Sequence, residues 1–346
     1  MQASRNTNLI TIGIDVGGTN TKVGLFEKGG NLLSKHSYPT TKEGEDVLER
    51  MTRKLRGILE LKGIDPTYVT GIGIGVPGPV DERGVLLNCA NLDMHNVDLQ
   101  ARFHELLPEM QVPVAAGNDA NAAALGEMWK GAGQGRKSMV MVMLGTGVGA
   151  GIICDGKIVV GNKGAAGEIG HLPVKDDEMI PCGCGNYGCL EQYVGSRNLI
   201  RHTCDLLRLH PDVPSPLRGE VSASDSASLN GADALTGEQL ASTITAKDIG
   251  DAAENGDMIA DLVMSRACEM IGKGLAMLAV CVAPEIILIG GGISKSGDYL
   301  LERVRASYKR RVFPNLRDVP IELSAIPEMA GMLGADYMIE HVVYGI

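Results

Sequence analysis

The chain has 346 residues, of which 46 are glycine, about 13% against an average near 7%. No collagen-like triplet repeat is present, the hydrophobic content of 44% is typical of a core-forming globular chain, and the length predicts two domains. The net charge of −10 and the aromatic content of 3% argue against a nucleic-acid or anionic-membrane partner. No secretory segment is visible near the first residue, and we therefore expect a soluble, cytoplasmic protein.

The first half of the chain begins with apolar, β-branched segments separated by glycine turns, which is the pattern of a three-strand meander. Apolar residues at helical spacing follow in residues 45–61, and a further apolar strand ends at Pro77-Gly78-Pro79. The predicted strands are residues 9–15, Thr21–Phe26, Asn31–Ser37, Gly71–Val76 and Val112–Ala116.

The first glycine turn follows Asp15 and contains Gly17, Gly18, Thr19 and Asn20. Backbone N–H groups in such a turn can hold a phosphate, and Asp15 can hold a water-coordinated Mg²⁺. The alternative is a hairpin turn that needs glycine at positive φ. The segment is not a Walker A loop, because GxxxxGK[ST] is absent, and the next strand begins too early for a Rossmann fingerprint.

Asn118 and Asp119 follow an apolar strand and precede an alanine-rich segment that ends at Glu127. Either residue is a good helix N-cap, and that structural role needs only one of them. Adjacent amide and carboxylate groups at a strand end can also bind a sugar hydroxyl, and the carboxylate can accept its proton. Residues 118–127 are therefore the candidate catalytic segment.

The second half repeats the order of strand, glycine turn, strand, turn and strand. Its predicted strands are Met139–Leu144, Val148–Cys154 and Lys157–Val160, and its glycine turn is Gly145-Thr146-Gly147. Two copies indicate an internal duplication rather than a tandem repeat. We expect two matching lobes with a cleft between them and one phosphate-contacting glycine loop on each side.

Three cysteines lie close together downstream of a single histidine, a set suited to tetrahedral structural Zn²⁺. The candidate ligands are His171, Cys182, Cys184 and Cys189. Four protein ligands leave no open position for a catalytic water, so the metal would be a scaffold that fixes Glu168, His171 and Glu191 around a substrate. The alternative is a group of free buried cysteines, in which the intervening glycines would be costly.

The remainder of the chain predicts long helices, one further strand and a surface segment. The predicted helices are Gln192–His210, residues 257–280 and Ala330–Val343. Residues 211–245 are rich in Ser, Ala, Asp and Gly and predict a surface insertion or mobile loop. After the strand Glu285–Ile289, the turn Gly290-Gly291-Gly292 either passes beneath a ribose or adenine or simply ends the strand.

Six motifs occur in order along nearly the whole chain: DVGGTNTK, GVPGPVD, NDANAAALGE, LGTGVGAGI, GEIGH and CGCGNYGCLE. In this ordered set the chain resembles the ROK family of sugar kinases and regulators. The resemblance implies an α/β, two-lobed actin/hexokinase-like (ribonuclease H-like) fold with a duplicated β-meander and helices. We predict an N-terminal lobe of residues 1–117 plus 330–346 and a C-terminal lobe of residues 118–329, with a zinc knuckle at 171–189 and the insertion at 211–245.

The resemblance also implies the role of individual residues and the cofactors ATP, Mg²⁺ and structural Zn²⁺. Asp119 matches the family's catalytic base, and the Cys₃His set matches its zinc ligands, with His171 serving twice through its two ring nitrogens. The positions that match sugar ligands are Asn118, Glu168, His171 and Glu191. The positions that match nucleotide-binding residues are Asp15, Gly17, Gly18, Thr19, Asn20, Gly145, Thr146, Gly147, Gly290, Gly291 and Gly292.

Within the family, GVPGPVD and Asn91-Leu92 are most similar to the glucokinase branch, whereas Met94 and His95 stand where many of its members have an aromatic residue. The resemblance implies an ATP-dependent kinase of the glucose 6-hydroxyl in glycolytic carbohydrate metabolism, assembled as a homodimer or homotetramer. N-acetylglucosamine, N-acetylmannosamine and other hexoses are alternative substrates, because one substituent changes affinity by only about 1–3 kcal/mol. A sugar-sensing regulator is a further alternative, although the 14 residues before Asp15 predict no DNA-binding domain.

Overall fold

The computed structural model of the chain describes residues 9–218 and 243–345. The strands are β1 (Ile10–Val16), β2 (Asn20–Glu27), β3 (Asn31–Pro39), β4 (Val69–Val76), β5 (Val85–Cys89), β6 (Met94–Asp98), β7 (Val114–Asn118), β8 (Met139–Leu144), β9 (Val148–Cys154), β10 (Lys157–Ile158), β11 (Ile286–Gly290) and β12 (Ile321–Leu323). The helices are α1 (Val47–Lys62), α2 (Leu99–Leu106), α3 (Asp119–Lys130), α4 (Glu191–Val194), α5 (Ser196–Leu209), α6 (Ala246–Glu254), α7 (Met258–Val282), α8 (Gly297–Arg311) and α9 (Ala330–Tyr344).

The first sheet has the strand order β3-β2-β1-β4-β7, in which β1, β2 and β3 form the predicted antiparallel meander. Strands β4 and β7 extend the sheet by parallel pairing, with Ile14 opposite Ile74 and Ile74 opposite Ala116. The carboxyl ends of β1, β4 and β7 therefore lie at the same edge. In open α/β sheets this is the edge at which ligands bind, and here it carries Asp15 and Asn118.

The second sheet has the order β10-β9-β8-β11-β12, which repeats the topology of the first sheet strand for strand. Strands β9 and β10 are antiparallel, and β11 and β12 are parallel, with Leu288 opposite Glu322. The predicted duplication of the meander is confirmed, and the duplication extends to the two outer parallel strands. The hairpin of β5 and β6 stands outside both sheets and was not predicted.

The contacts along the chain define two compact units. The first is Met1–Met141, Ala150–Gly167 and Ser324–Ile346, and the second is Val142–Gly149 and Glu168–Leu323. This division differs from the predicted lobes, because residues 118–141, which include α3, and residues 150–167 and 324–329 belong to the first unit. The reason is that α3 packs along α9, and its buried Glu127 accepts hydrogen bonds from the Ser324 hydroxyl and from the Ile326 N–H at 3.0 Å.

The segment after β9 and β10 departs from the sequence predictions in two places. The predicted helix Gln192–His210 is interrupted at Gly195, which separates α4 from α5. Of the predicted insertion 211–245, residues 219–242 lie outside the described residues, and in its described part Leu217 is buried. Across residues 9–218 and 243–345, no helix combines the length and apolar character needed to cross a membrane.

Candidate active site

Asp15 lies near the carboxyl end of β1 and is half-buried. Burial raises the pKa of its carboxyl, and the cross-strand neighbour Lys22 lowers it. The carboxyl faces the first turn of α9, since a Cβ added to Gly331 would lie 2.5 Å from the Asp15 Cγ. The positive end of this helix dipole favours the ionised carboxylate. The sequence contained no local signal for this long-range contact.

The predicted phosphate turn between β1 and β2 is closed by the Gly17 N–H, which donates to the Asn20 carbonyl at 3.1 Å. The Thr40 hydroxyl donates to the Gly17 carbonyl at 2.6 Å and fixes the turn from outside. Gly18, Thr19 and Asn20 are exposed. Neither Gly17 nor Gly18 has a positive φ, so a turn that needs glycine for its backbone conformation does not explain this pair.

Three predicted nucleotide-binding glycines share an unusual feature. At Gly18, Gly145 and Gly292, an added Cβ would meet no atom within 4 Å, and φ is not positive at any of them. Within the described residues, neither packing nor backbone strain therefore requires glycine at these positions. A glycine without either constraint suits a place where a ligand approaches the backbone closely.

Two glycine turns of the second unit lie side by side. Gly145-Thr146-Gly147 follows β8, and Gly290-Gly291-Gly292 follows β11, the neighbour of β8 in the sheet. Gly291 has a φ of 89°, and its Cβ would lie 2.3 Å from the Leu144 carbonyl oxygen. The structure thus brings together the two segments predicted to bind nucleotide in this unit, and Gly291 permits their close approach.

Asn118 and Asp119 stand at the junction of β7 and α3. Asn118 is the N-cap, and its side-chain oxygen accepts hydrogen bonds from the N–H groups of Ala120 at 2.9 Å and Asn121 at 3.2 Å. Its amide also donates to the Gly78 carbonyl at 3.2 Å. Asn118 is the N-cap, and the half-buried carboxylate of Asp119 also accepts a hydrogen bond from the Ala120 N–H, at 2.8 Å.

The predicted sugar ligands of the second unit lie on two short turns of helix. Glu168 is exposed and precedes the 3₁₀ turn Ile169–His171, whose His171 N–H donates to the Glu168 carbonyl at 3.1 Å. Glu191 is half-buried at the start of α4, and its Oε2 accepts a hydrogen bond from the Val148 N–H at 3.1 Å. That hydrogen bond joins a predicted sugar ligand to the residue after the Gly145-Thr146-Gly147 turn.

The Cys₃His set is assembled as the sequence predicted, with its four donor atoms within 4.8 Å of one another. The Cys182 Sγ and His171 Nδ1 are 3.8 Å apart, and the Cys184 and Cys189 sulfurs are 3.7 Å apart. A tetrahedral zinc with Zn–S bonds of about 2.3 Å places its sulfurs about 3.8 Å apart, so the donor set fits the ion in geometry and chemistry. Burial raises the pKa of the Cys189 thiol to about 12, a cost that a bound cation would offset.

Side chains that the sequence reasoning missed hold this knuckle in place. Buried Gln192 accepts from the Cys189 N–H at 3.0 Å and donates to the Ile180 carbonyl at 2.8 Å. The Tyr193 hydroxyl donates to Glu178, and this hydrogen bond is the main cause that lowers the pKa of Glu178 to about 2. The available signal was that Gln192 and Tyr193 directly follow Glu191. The sequence does not show, however, which group a polar side chain on a short helix contacts.

The model of the ROK family matches residues 11–342 of the chain. A glucokinase of Halalkalibacterium halodurans is 32% identical over 95% of this chain and 94% of its own length. The crystal structure of a ROK family glucokinase from Streptomyces griseus in complex with glucose and AMPPNP is 32% identical, covers 94% of this chain and 97% of its own, and has a TM-score of 0.74. A ROK family transcriptional regulator is 27% identical, with a TM-score of 0.80 over 98% of this chain and 79% of its own. The predicted actin/hexokinase-like α/β fold is confirmed by these neighbours.

Proposed function

Since this chain belongs to the ROK family, we propose that it is an ATP-dependent kinase that converts glucose to glucose 6-phosphate in carbohydrate metabolism. The observation that carries the proposal is the similarity, over 94% of the chain, to a glucokinase that was solved with glucose and AMPPNP. The unconstrained glycines Gly18, Gly145 and Gly292 support it independently, because they lie in the segments that would approach the nucleotide.

In this proposal Asp119 is the general base. Its carboxylate would accept the proton of the 6-hydroxyl as the oxygen attacks the γ-phosphorus, a role worth about 10²–10⁴ in rate. Asn118, Glu168, His171 and Glu191 would bind the other hydroxyls of the sugar. The support is chemical: two carboxylates, an amide and an imidazole offer both donors and acceptors to a polyhydroxylated ring.

Nucleotide binding is assigned to the glycine turns. The turns of residues 17–20 and 145–147, in which Gly18, Thr19 and Thr146 are exposed, would bind phosphate oxygens, and residues 290–292 would lie against the nucleoside. Mg²⁺, held through water by Asp15, would supply positive charge to the transferred phosphoryl group. The raised pKa of Asp15 is consistent with a cation site, because a buried carboxyl is stabilised in its ionised form by a nearby cation.

We further propose that His171, Cys182, Cys184 and Cys189 bind a structural Zn²⁺. The donor distances support this assignment, and the closed set of four ligands assigns the ion a scaffold role. The ring nitrogen of His171 that faces away from the sulfurs would remain for a sugar hydroxyl. The homodimer or homotetramer implied by the family belongs to the same proposal, and light scattering of the purified protein tests it.

The decisive experiment is a coupled assay with ATP and a panel of glucose, mannose, fructose, N-acetylglucosamine and N-acetylmannosamine. We expect kcat/KM for glucose to exceed the others by about tenfold or more, because one misplaced substituent costs about 1–3 kcal/mol. A preference for an N-acetylhexosamine would instead establish the alternative kinase. Absence of turnover on every sugar would refute the kinase function.

Replacement of Asp119 tests the mechanism. Asp119→Asn keeps the size of the side chain but removes the base, so we expect kcat to fall by about 10²–10⁴ while glucose binding measured by calorimetry survives. Near-normal turnover would exclude Asp119 as the base.

A sugar-sensing regulator is the second candidate, favoured by the similarity to the family regulator. It differs from the kinase in one measurable respect, because a regulator binds the sugar without consuming ATP. Binding of glucose with no release of ADP, together with specific DNA binding, would support it.

A further inference from the structure

The first residues of α4 and α5 form hydrogen bonds with both ends of the turn Gly145-Thr146-Gly147. The Val148 N–H donates to Glu191 Oε2 at 3.1 Å, and the Ser196 N–H donates to the Gly145 carbonyl at 3.0 Å. Both ends of the turn are therefore held by the same short stretch of chain. Gly195, which interrupts the helix, makes the second contact possible by turning the backbone toward the loop.

The packing at Gly147 shows how closely the carboxylate fits the turn. A Cβ added to Gly147 would lie 2.3 Å from Glu191 Oε2 but 4.0 Å from Oε1. The first oxygen thus faces the turn and accepts its N–H, and the second points away from it. Gly147 has no positive φ, so the carboxylate, rather than backbone strain, explains the glycine.

We propose that Glu191 is a positioning residue for the nucleotide loop, in addition to its role as a sugar ligand. Oε2 holds the loop at Val148, and Oε1, which points away from the loop, would remain for the sugar hydroxyl. This inference rests on the proposed function, because it takes residues 145–147 as a phosphate loop. Its consequence is specific: loss of the carboxylate weakens nucleotide binding even when no sugar is present.

Electrostatics alone predicts the opposite sign. ATP is an anion, and removal of a nearby carboxylate should tighten its binding or leave it unchanged. A weakened affinity on removal of a negative charge therefore distinguishes positioning from a charge effect. A residue that touches only the sugar would leave sugar-free nucleotide affinity unchanged.

The test is calorimetric titration of the full-length protein with Mg²⁺ and AMPPNP in the absence of sugar. For Glu191→Ala we expect the dissociation constant to rise by about tenfold, since a partly buried N–H loses a charged acceptor. For Glu191→Gln, which keeps an oxygen acceptor for Val148, we expect a rise of about threefold or less. Glu302→Ala removes an exposed carboxylate outside the proposed site with the same charge change and serves as the matched control with unchanged affinity.

Gly147→Ala disturbs the same contact from the side of the loop. Because it leaves Glu191 in place, it tests the contact even if the Glu191 variants fold poorly. We expect it to weaken AMPPNP binding by itself but to add nothing in the Glu191→Ala background, where the space is open. Equal sugar-free affinity of wild type and Glu191→Ala, or additive losses in the double variant, would overturn the inference. Failure of the wild type itself to bind AMPPNP would instead overturn the proposed function.

Discussion

The buried acid pair of α9 makes the stability of the first unit dependent on pH. Asp336 and Glu340 are 0% and 1% exposed and lie four residues apart, on the same face of the helix. The Thr11 hydroxyl donates to Asp336 Oδ1 at 2.5 Å, and the Gly29 N–H donates to Glu340 Oε1 at 2.6 Å. Within the described residues, no hydrogen-bond partner reaches Asp336 Oδ2 or Glu340 Oε2. A single proton on the Asp336 carboxyl would provide the hydrogen-bond donor that these two oxygens lack.

The pKa of Asp336 is raised to about 7, mainly by burial and also by the charge of Glu340, while the hydrogen bond from Thr11 and the charge of Lys130 act to lower it. The native state therefore holds a proton that the unfolded chain, with an ordinary pKa of 3.8, releases. The contribution of Asp336 to the free energy of unfolding is therefore fully present below about pH 4 and is lost as the pH rises through about 7. The difference between the pKa of 3.8 in the unfolded chain and about 7 in the native state corresponds to about 4 kcal/mol in the free energy of unfolding.

Asp336→Asn removes this titration and keeps the required hydrogen bonds. The amide oxygen can accept from Thr11, and the amide N–H₂ can donate toward Glu340, as the protonated acid does. We expect the free energy of unfolding of the variant to rise relative to wild type by up to about 4 kcal/mol between pH 4 and pH 8. Exposed Asp318→Asn is the control, with a curve parallel to wild type.

Urea unfolding followed by tryptophan fluorescence measures the stability of the unit that contains Asp336. Trp129 is the single tryptophan of the chain and contacts Tyr337 of α9, with ring centroids 5.4 Å apart. Unfolding midpoints collected from pH 4 to pH 8 then report on the helix that carries Asp336. Parallel curves for wild type and Asp336→Asn across this range would refute the assignment of the buried proton.

Two further predictions concern the knuckle and the packing of the helices. Cys184→Ser should lose about one equivalent of zinc per chain by mass spectrometry, because three ligands remain; Cys281→Ser, which changes an exposed cysteine outside the donor set, should retain it. Gly334→Ala should lower the free energy of unfolding by about 3 kcal/mol or more, because its Cβ would lie 1.6 Å from the Ala122 carbonyl oxygen. Gly57→Ala changes an open position in α1 and should be neutral or stabilising by up to about 1 kcal/mol in the same denaturation experiment. An equal decrease in the free energy of unfolding for both variants would contradict the packing argument.

Local patterns were sufficient to predict the strands that form the two sheets, except for the short edge strand β12. Runs of β-branched residues predicted β1 and β8, and glycine turns after each predicted the duplicated meander. The Cys₃His set was predicted from spacing because its cysteines lie close in sequence, and a tight knuckle leaves little freedom to their arrangement. Features of this kind depend on neighbours along the chain.

Features that depend on distant parts of the chain could not be predicted. Asn118 and Asp119 are both good N-caps, and only the end of β7 decides that Asn118 performs this role. The helix break at Gly195 was missed because an isolated glycine is tolerated within an apolar helical pattern. Its reason is the contact of Ser196 with the turn after β8, about fifty residues earlier in the chain.

Many glycines of the chain have a positive φ, and the others fall into groups that composition alone could not separate. Gly13 and Gly73 lie inside strands, and their added Cβ atoms would lie 2.2 Å and 1.8 Å from carbonyl oxygens of α9, so they permit the helix to pack directly on the sheet. Gly18, Gly145 and Gly292 have no such neighbour, and a side chain there would extend into open space. A protein that needed glycine only for its own packing would place it where atoms are close. Gly57 in α1 and Gly183 between the zinc-ligand cysteines are also open, but Gly18, Gly145 and Gly292 share a place in turns that follow buried strands of the duplicated sheets, and these three glycines therefore point to a ligand.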